Sequence, residues 1–168
     1  MGTSTDATLF YGLCYWEEGQ LPWEDPEGDY DARMTERHEV DASLFADILC
    51  KRLGGPKYPV CVPEFDNYTG MLRAYWEERD AFILATLGEE VVLVTHCHHE
   101  IKMYGIALKR TVTVASRGGP EKIEHLGRLE YPELAREALR KFCVAFGMDF
   151  YAEECADRLG WWLVSYWA

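Results

Sequence analysis

A chain of 168 residues with 48% hydrophobic and 14% aromatic content can bury a substantial core as one domain, which excludes a disordered acidic protein. Its net charge of −12 argues against nonspecific nucleic-acid binding and against attachment to an anionic membrane, both of which need clustered Lys and Arg. No run approaches the roughly 18 apolar residues of a spanning helix, and Met1–Thr8 lacks the apolar stretch of a signal peptide, so a cytoplasmic protein is expected.

Thr8–Trp16 is apolar on both alternating sets, with Leu9, Tyr11, Leu13 and Tyr15 against Phe10, Cys14 and Trp16. Such a run predicts a central strand covered on both faces. Gly12 in its middle predicts a bulge or a closely approaching neighbour. Glu17–Val40 is rich in Asp, Glu, Pro and Gly without helical or strand period, and reads as a long excursion. Asp41 is a good N-cap for a helix carrying Leu44, Phe45, Ile48 and Leu49 on one face, which Gly54-Gly55 ends. Lys57–Asp66 reads as Pro-containing coil. A second helix is predicted over Tyr68–Leu87, with Met71, Leu72, Tyr75, Trp76, Phe82 and Ile83 facing inward.

Val91–His96 is a β-branched strand, and Met103–Ser116 reads as one long bent strand or two joined ones. Arg117–Pro120 ends it as a turn. Pro132 suits the first position of a third helix, with Leu134, Ala135, Ala138, Leu139, Phe142, Cys143 and Phe146 as its buried stripe. Asp149–Leu159 predicts a short fourth helix, and Trp161–Trp167 a closing strand apolar on both faces. The order β-α-α-β-β-α-α-β does not alternate as a doubly wound sheet requires. The expected fold class is α+β: a single domain over 1–168, a mainly antiparallel sheet and three to four packed helices. Both apolar terminal strands should lie centrally, and an acidic loop occupies about 17–40.

Charge is distributed unevenly. Residues 1–50 carry twelve carboxylates against Arg33 and Arg37, while the remaining 118 residues are nearly balanced. Ten of those carboxylates fall in Glu17–Asp41, among aromatic residues. Trp16, Trp23 and Tyr30 among Glu24, Asp25, Glu27, Asp29 and Asp31 form a candidate docking surface for a basic protein. Opposed to it is Ile101–Pro120, whose charged residues are Lys102, Lys109, Arg110 and Arg117. Lys109, Arg110, Arg117 and the amide of Gly118 are a candidate anion site, since successive backbone N–H groups in a turn form a concave nest.

His96-Cys97-His98-His99-Glu100 is the densest reactive cluster. Residues two apart on a strand share a face, so His96 and His98 can chelate one metal, with His125, Glu100 or a distant Cys completing the set and zinc as the fitting ion. Glu77, Glu78 and Asp80 read as a solvated helix face. No G-x-S-x-G, P-loop or G-x-G-x-x-G pattern is present. Six cysteines without a C-x-x-C pair read as buried thiols rather than a disulfide framework.

Three functional expectations follow, in order. The first is a small acidic cytoplasmic binding protein of phage or bacterial kind, an inhibitor, immunity or anti-defence protein docking a basic partner. The second is an enzyme with a metal or anion site at His96, His98, His125 and the Arg117 turn. The third is a homo-oligomeric structural protein that associates through its aromatic strands.

Overall fold

The computed structural model describes residues 5–15, 42–59, 68–98, 102–115 and 129–167. The first apolar run forms β1 (Thr5–Tyr15), with neighbours on both edges. One edge pairs antiparallel with β5 (Leu159–Trp167), from Thr5↔Trp167 to Leu13↔Leu159. The other edge is shared by β3 (Lys102–Leu108), opposite Gly12–Tyr15, and β4 (Thr113–Ala115), opposite Ala7–Leu9. β2 (Val91–His98) pairs antiparallel with β3 and meets β5 in parallel at Cys97↔Tyr166 and His98↔Trp167. The pairings β1–β5, β5–β2, β2–β3 and β3–β1 return to their start, so the sheet curls into a ring with β4 appended. The fold is α+β, and the two apolar terminal strands do lie centrally.

β3 and β4 are the long bent strand expected over 103–116. Three steps along β1, from Gly12 to Leu9, correspond to six from Ala107 to Thr113. A 3₁₀ turn, Lys109–Thr111, takes up the surplus. The buried Thr111 hydroxyl bridges the gap in the ladder. It accepts the Tyr11 N–H at 2.9 Å and donates to the Leu108 carbonyl at 2.7 Å. Two backbone groups that the detour would otherwise leave unpaired inside the protein are thereby satisfied.

Alternation sorts the strands into two cores. On the concave face Phe10, Cys14, Val94 and Ala107 form a small cluster, with Trp162 and Val164 against it. On the convex face Leu13, Tyr15, Val91, Tyr104, Ile106 and Leu108 meet the helices. These are α1 (Ala42–Arg52), α2 (Tyr68–Leu87), α3 (Pro132–Ala145) and α4 (Glu153–Arg158). Phe45 and Leu49 come from α1, Ile83 and Leu87 from α2, Phe142 and Cys143 from α3, and Cys155 from α4. The α1 helix ends as expected: Gly54 takes φ 78°, and the Gly55 N–H returns to the Cys50 carbonyl at 2.9 Å.

Several expected details are corrected. On α2 the inward ridge is Tyr75, Arg79, Ile83 and Leu87, spaced by four, while Met71 and Trp76 are each 41% exposed. A charged residue occupies a ridge position that an apolar pattern does not anticipate. Leu134 is likewise exposed, whereas Ala135, Ala138, Leu139, Phe142 and Cys143 are buried as expected. β2 extends to His98, α4 is only six residues long, and α4 runs into β5 without a linker. Asp41, and most of the coil over 57–66, lie outside the described residues.

Closure of the ring depends on small residues where strands approach. A Cβ on Gly12 would sit on the Ile106 carbonyl oxygen and within 2.9 Å of the Ala107 Cα, both backbone atoms that cannot swing aside. Its Cα partner Gly160 has no heavy atom nearer than Trp162 Nε1 at 4.0 Å. Gly12→Ala is expected to destabilise the protein by about 2–4 kcal/mol and Gly160→Ala by less than about 1 kcal/mol, read from urea denaturation midpoints.

Candidate functional site

His96 is on the concave face of β2 and is buried. The ring brings it against Cys14 of β1, with His96 Nε2 3.6 Å from Cys14 Sγ. Burial pushes the Cys14 thiol up to about 11, against the opposing field of Arg158. Burial also holds the His96 imidazole below its usual 6.5, against the pull of backbone groups of Tyr15 and Tyr104. At neutral pH the pair is therefore a thiol beside a neutral imidazole, not the thiolate–imidazolium pair of a cysteine nucleophile. Sequence reasoning missed Cys14, which is 82 residues away and reaches His96 through the β1–β3–β2 order. Next to His96, Cys97 holds φ at 78°, a left-handed conformation inside a strand. It stands where β2 first meets β5, at the edge of the ring.

Of the expected metal ligands, only His96 has a described side chain. The backbone of His98 continues β2, while His125 lies outside the described residues. Among the described residues no three His, Cys, Asp or Glu side chains come together as a metal-binding group.

The candidate anion site also divides. Lys109 and Arg110 occupy the 3₁₀ turn rather than a strand, and the turn lies over the α2–β2 connection. Lys109 Nζ is 2.5 Å from Glu90 Oε1, and Arg110 Nε is 3.1 Å from Glu89 Oε2. Arg110 also donates to the Glu130 carbonyl at 2.6 Å, fixing the approach to α3. Both cations are thus met by neighbouring carboxylates, which diminishes the free positive charge an anion site would use. Arg117 and Gly118 lie outside the described residues.

The buried Arg79 is more fully engaged. Its guanidinium reaches Asp47 at 2.7 Å, Asp80 at 2.8 Å and the Ser43 carbonyl at 3.3 Å. Tyr75 donates to the same Asp47 carboxylate at 3.0 Å. This network joins α1 to α2 and closes a charge inside the protein, where an unpaired one would be costly. On α3, Arg140 pairs with Glu137 at 2.7 Å.

No protein-family model, curated protein or solved structure matches this chain. Trp16, Trp23, Glu24, Asp25, Glu27, Asp29, Tyr30 and Asp31, the candidate partner-binding set, lie outside the described residues. No helix among the described residues is long and apolar enough to cross a membrane.

The histidine gives a test of the concave site. The unfolded chain takes up a proton near 6.5, and the folded protein holds the imidazole neutral to lower pH. His96 therefore contributes stability that is full above the unfolded value and is lost as pH falls through 6.5 toward the folded value. His96→Gln is expected to remove this component, flattening urea stability between about pH 7.5 and pH 5 relative to the wild type.

Proposed function

We propose that this is a small acidic cytoplasmic binding protein that neutralises a basic partner, in the manner of an inhibitor, an immunity protein or a phage anti-defence protein. Residues 17–41 supply the charge, and Trp16, Trp23 and Tyr30 supply anchors that bury apolar area among the carboxylates. One observation carries the reading: four cations among the described residues, Lys109, Arg110, Arg79 and Arg140, are met by carboxylates of the same body. Lys109 and Arg110, half of the basic stretch over 101–120, meet Glu90 and Glu89. Arg79 and Arg140 are paired just as locally. On this reading the acidity of residues 17–41 acts on another molecule, whose approach it would steer and whose charge it would select.

The test is capture from a host lysate on immobilised full-length protein, with retained proteins identified by mass spectrometry. Basic proteins released by salt are expected. Replacing Glu24, Asp25, Glu27, Asp29 and Asp31 by Gln or Asn should weaken their retention about tenfold or more. Retention unaffected by the five replacements, with unchanged salt dependence, overturns the acidic docking reading.

A second reading is a metal centre of an enzyme. It is favoured by the Cys14–His96 separation of 3.6 Å, close to the roughly 3.5 Å between sulfur and nitrogen ligands of one tetrahedral zinc. His98 follows on the same strand. Elemental analysis of purified protein discriminates: stoichiometric zinc that is lost in Cys14→Ser and His96→Gln supports the centre, and metal-free protein excludes it.

A further inference from the structure

Cys143 and Cys155 meet inside the convex core, with their Sγ atoms 3.7 Å apart. Cys143 lies near the end of α3 and Cys155 in α4. The connection between them is already folded into hydrogen-bonded turns. The Met148 N–H returns to the Cys143 carbonyl at 2.8 Å, and the Cys155 N–H reaches the Ala152 carbonyl at 3.1 Å. Both cysteines are free. A disulfide bond is about 2.05 Å long, so the sulfurs need to close by about 1.7 Å from their present contact. Side-chain rotation and a small shift of the short α4 helix can provide that.

We propose that Cys143 and Cys155 are a site of reversible oxidation, forming a disulfide with a hydroperoxide as the oxidant. Cys155 is the first to react, since it retains 8% of its surface and Cys143 retains none. Its sulfur attacks one peroxide oxygen, the O–O bond breaks, and a sulfenic acid and one water (or alcohol) result. Cys143 then attacks the sulfenic sulfur and expels a second water. Two thiols have lost two protons and two electrons, and the peroxide has gained them. Burial raises the pKa of both thiols, so the step is slow near neutral pH and quickens as pH rises. The product pins α4 to α3 and, because α4 runs directly into β5, fixes the start of a central strand. This inference is independent of the acidic segment and of the proposed partner.

The experiment is peroxide treatment of the reduced full-length protein, alkylation of remaining thiols, and peptide mapping without reductant. The expected result is a linked peptide pair containing Cys143 and Cys155 that separates on reduction, with a melting temperature raised by about 5 °C. In Cys143→Ala, a dimedone adduct should appear at Cys155, whereas Cys155→Ala should leave Cys143 unmodified. Should either variant fail to fold, the wild-type map decides alone. Sulfinic or sulfonic acid at these positions without a link overturns the proposal. So do links made only to other cysteines, and so does survival of both thiols under peroxide that oxidises the more exposed Cys97.

Discussion

The close crossing of β1 and β3 governs the architecture. At Gly12 the backbone of one strand lies where the side chain of the other would be, and on β3 Gly105 faces the ring of Phe10 with similarly little room. Hydrogen-bonded strands in a flat sheet do not crowd in this way; a strongly coiled one does. The crossing lets β3 serve β1 on one edge and β2 on the other, while β5 closes the circuit. Thr111 and its 3₁₀ turn are the complement of the same bend, since β3 turns aside and its continuation must rejoin β1 further along. A tight curl needs small side chains within and a large apolar surface without. Gly12, Gly105 and Ala107 supply the first, and the helix-facing residues Leu13, Ile106 and Leu108 supply the second.

The curl also decides which chemistry is internal. Cys14 and His96 face one another because the concave surface has almost no room, and the same confinement keeps both neutral. On the convex side, Arg79 is admitted because Asp47, Asp80 and the Ser43 carbonyl receive its guanidinium. The Cys14–His96 pair and Arg79 are thus accommodated by immediate neighbours, and the surface cations Lys109, Arg110 and Arg140 follow the same pattern.

The strands were legible because their apolar pattern is local. Val91–His96, Trp161–Trp167 and the bend after Met103 could each be read from a few residues, and Gly12 already announced a close neighbour. Helix positions were legible wherever the stripe was apolar, as on α3. The reading failed at Arg79, because a buried cation depends on carboxylates from another helix. The Cys14–His96 and Cys143–Cys155 contacts were hidden for a related reason. The first depends on strand order, and the second on how a short helix sits against a longer one. The candidate ligands His96 and His98 could be placed on a strand, but the partner that the fold presents to His96 could not be. Strand alternation says which residues share a face and nothing about what lies across from that face.

The pairing of β1 with β5 has a consequence for how the protein is made. Leu13 and Leu159 are cross-strand partners 146 residues apart. At roughly 5–20 residues per second, a ribosome delivers β5 some 7–30 s after β1. During that interval β1 has no β5 beside it, and the β2–β3 hairpin can only half-surround it. The ring closes last, by insertion of a late strand between two earlier ones, β1 and β2. Long-range pairing of this sort makes folding slow. It leaves the nascent chain with an apolar strand edge to protect, which is a natural point of engagement for chaperones.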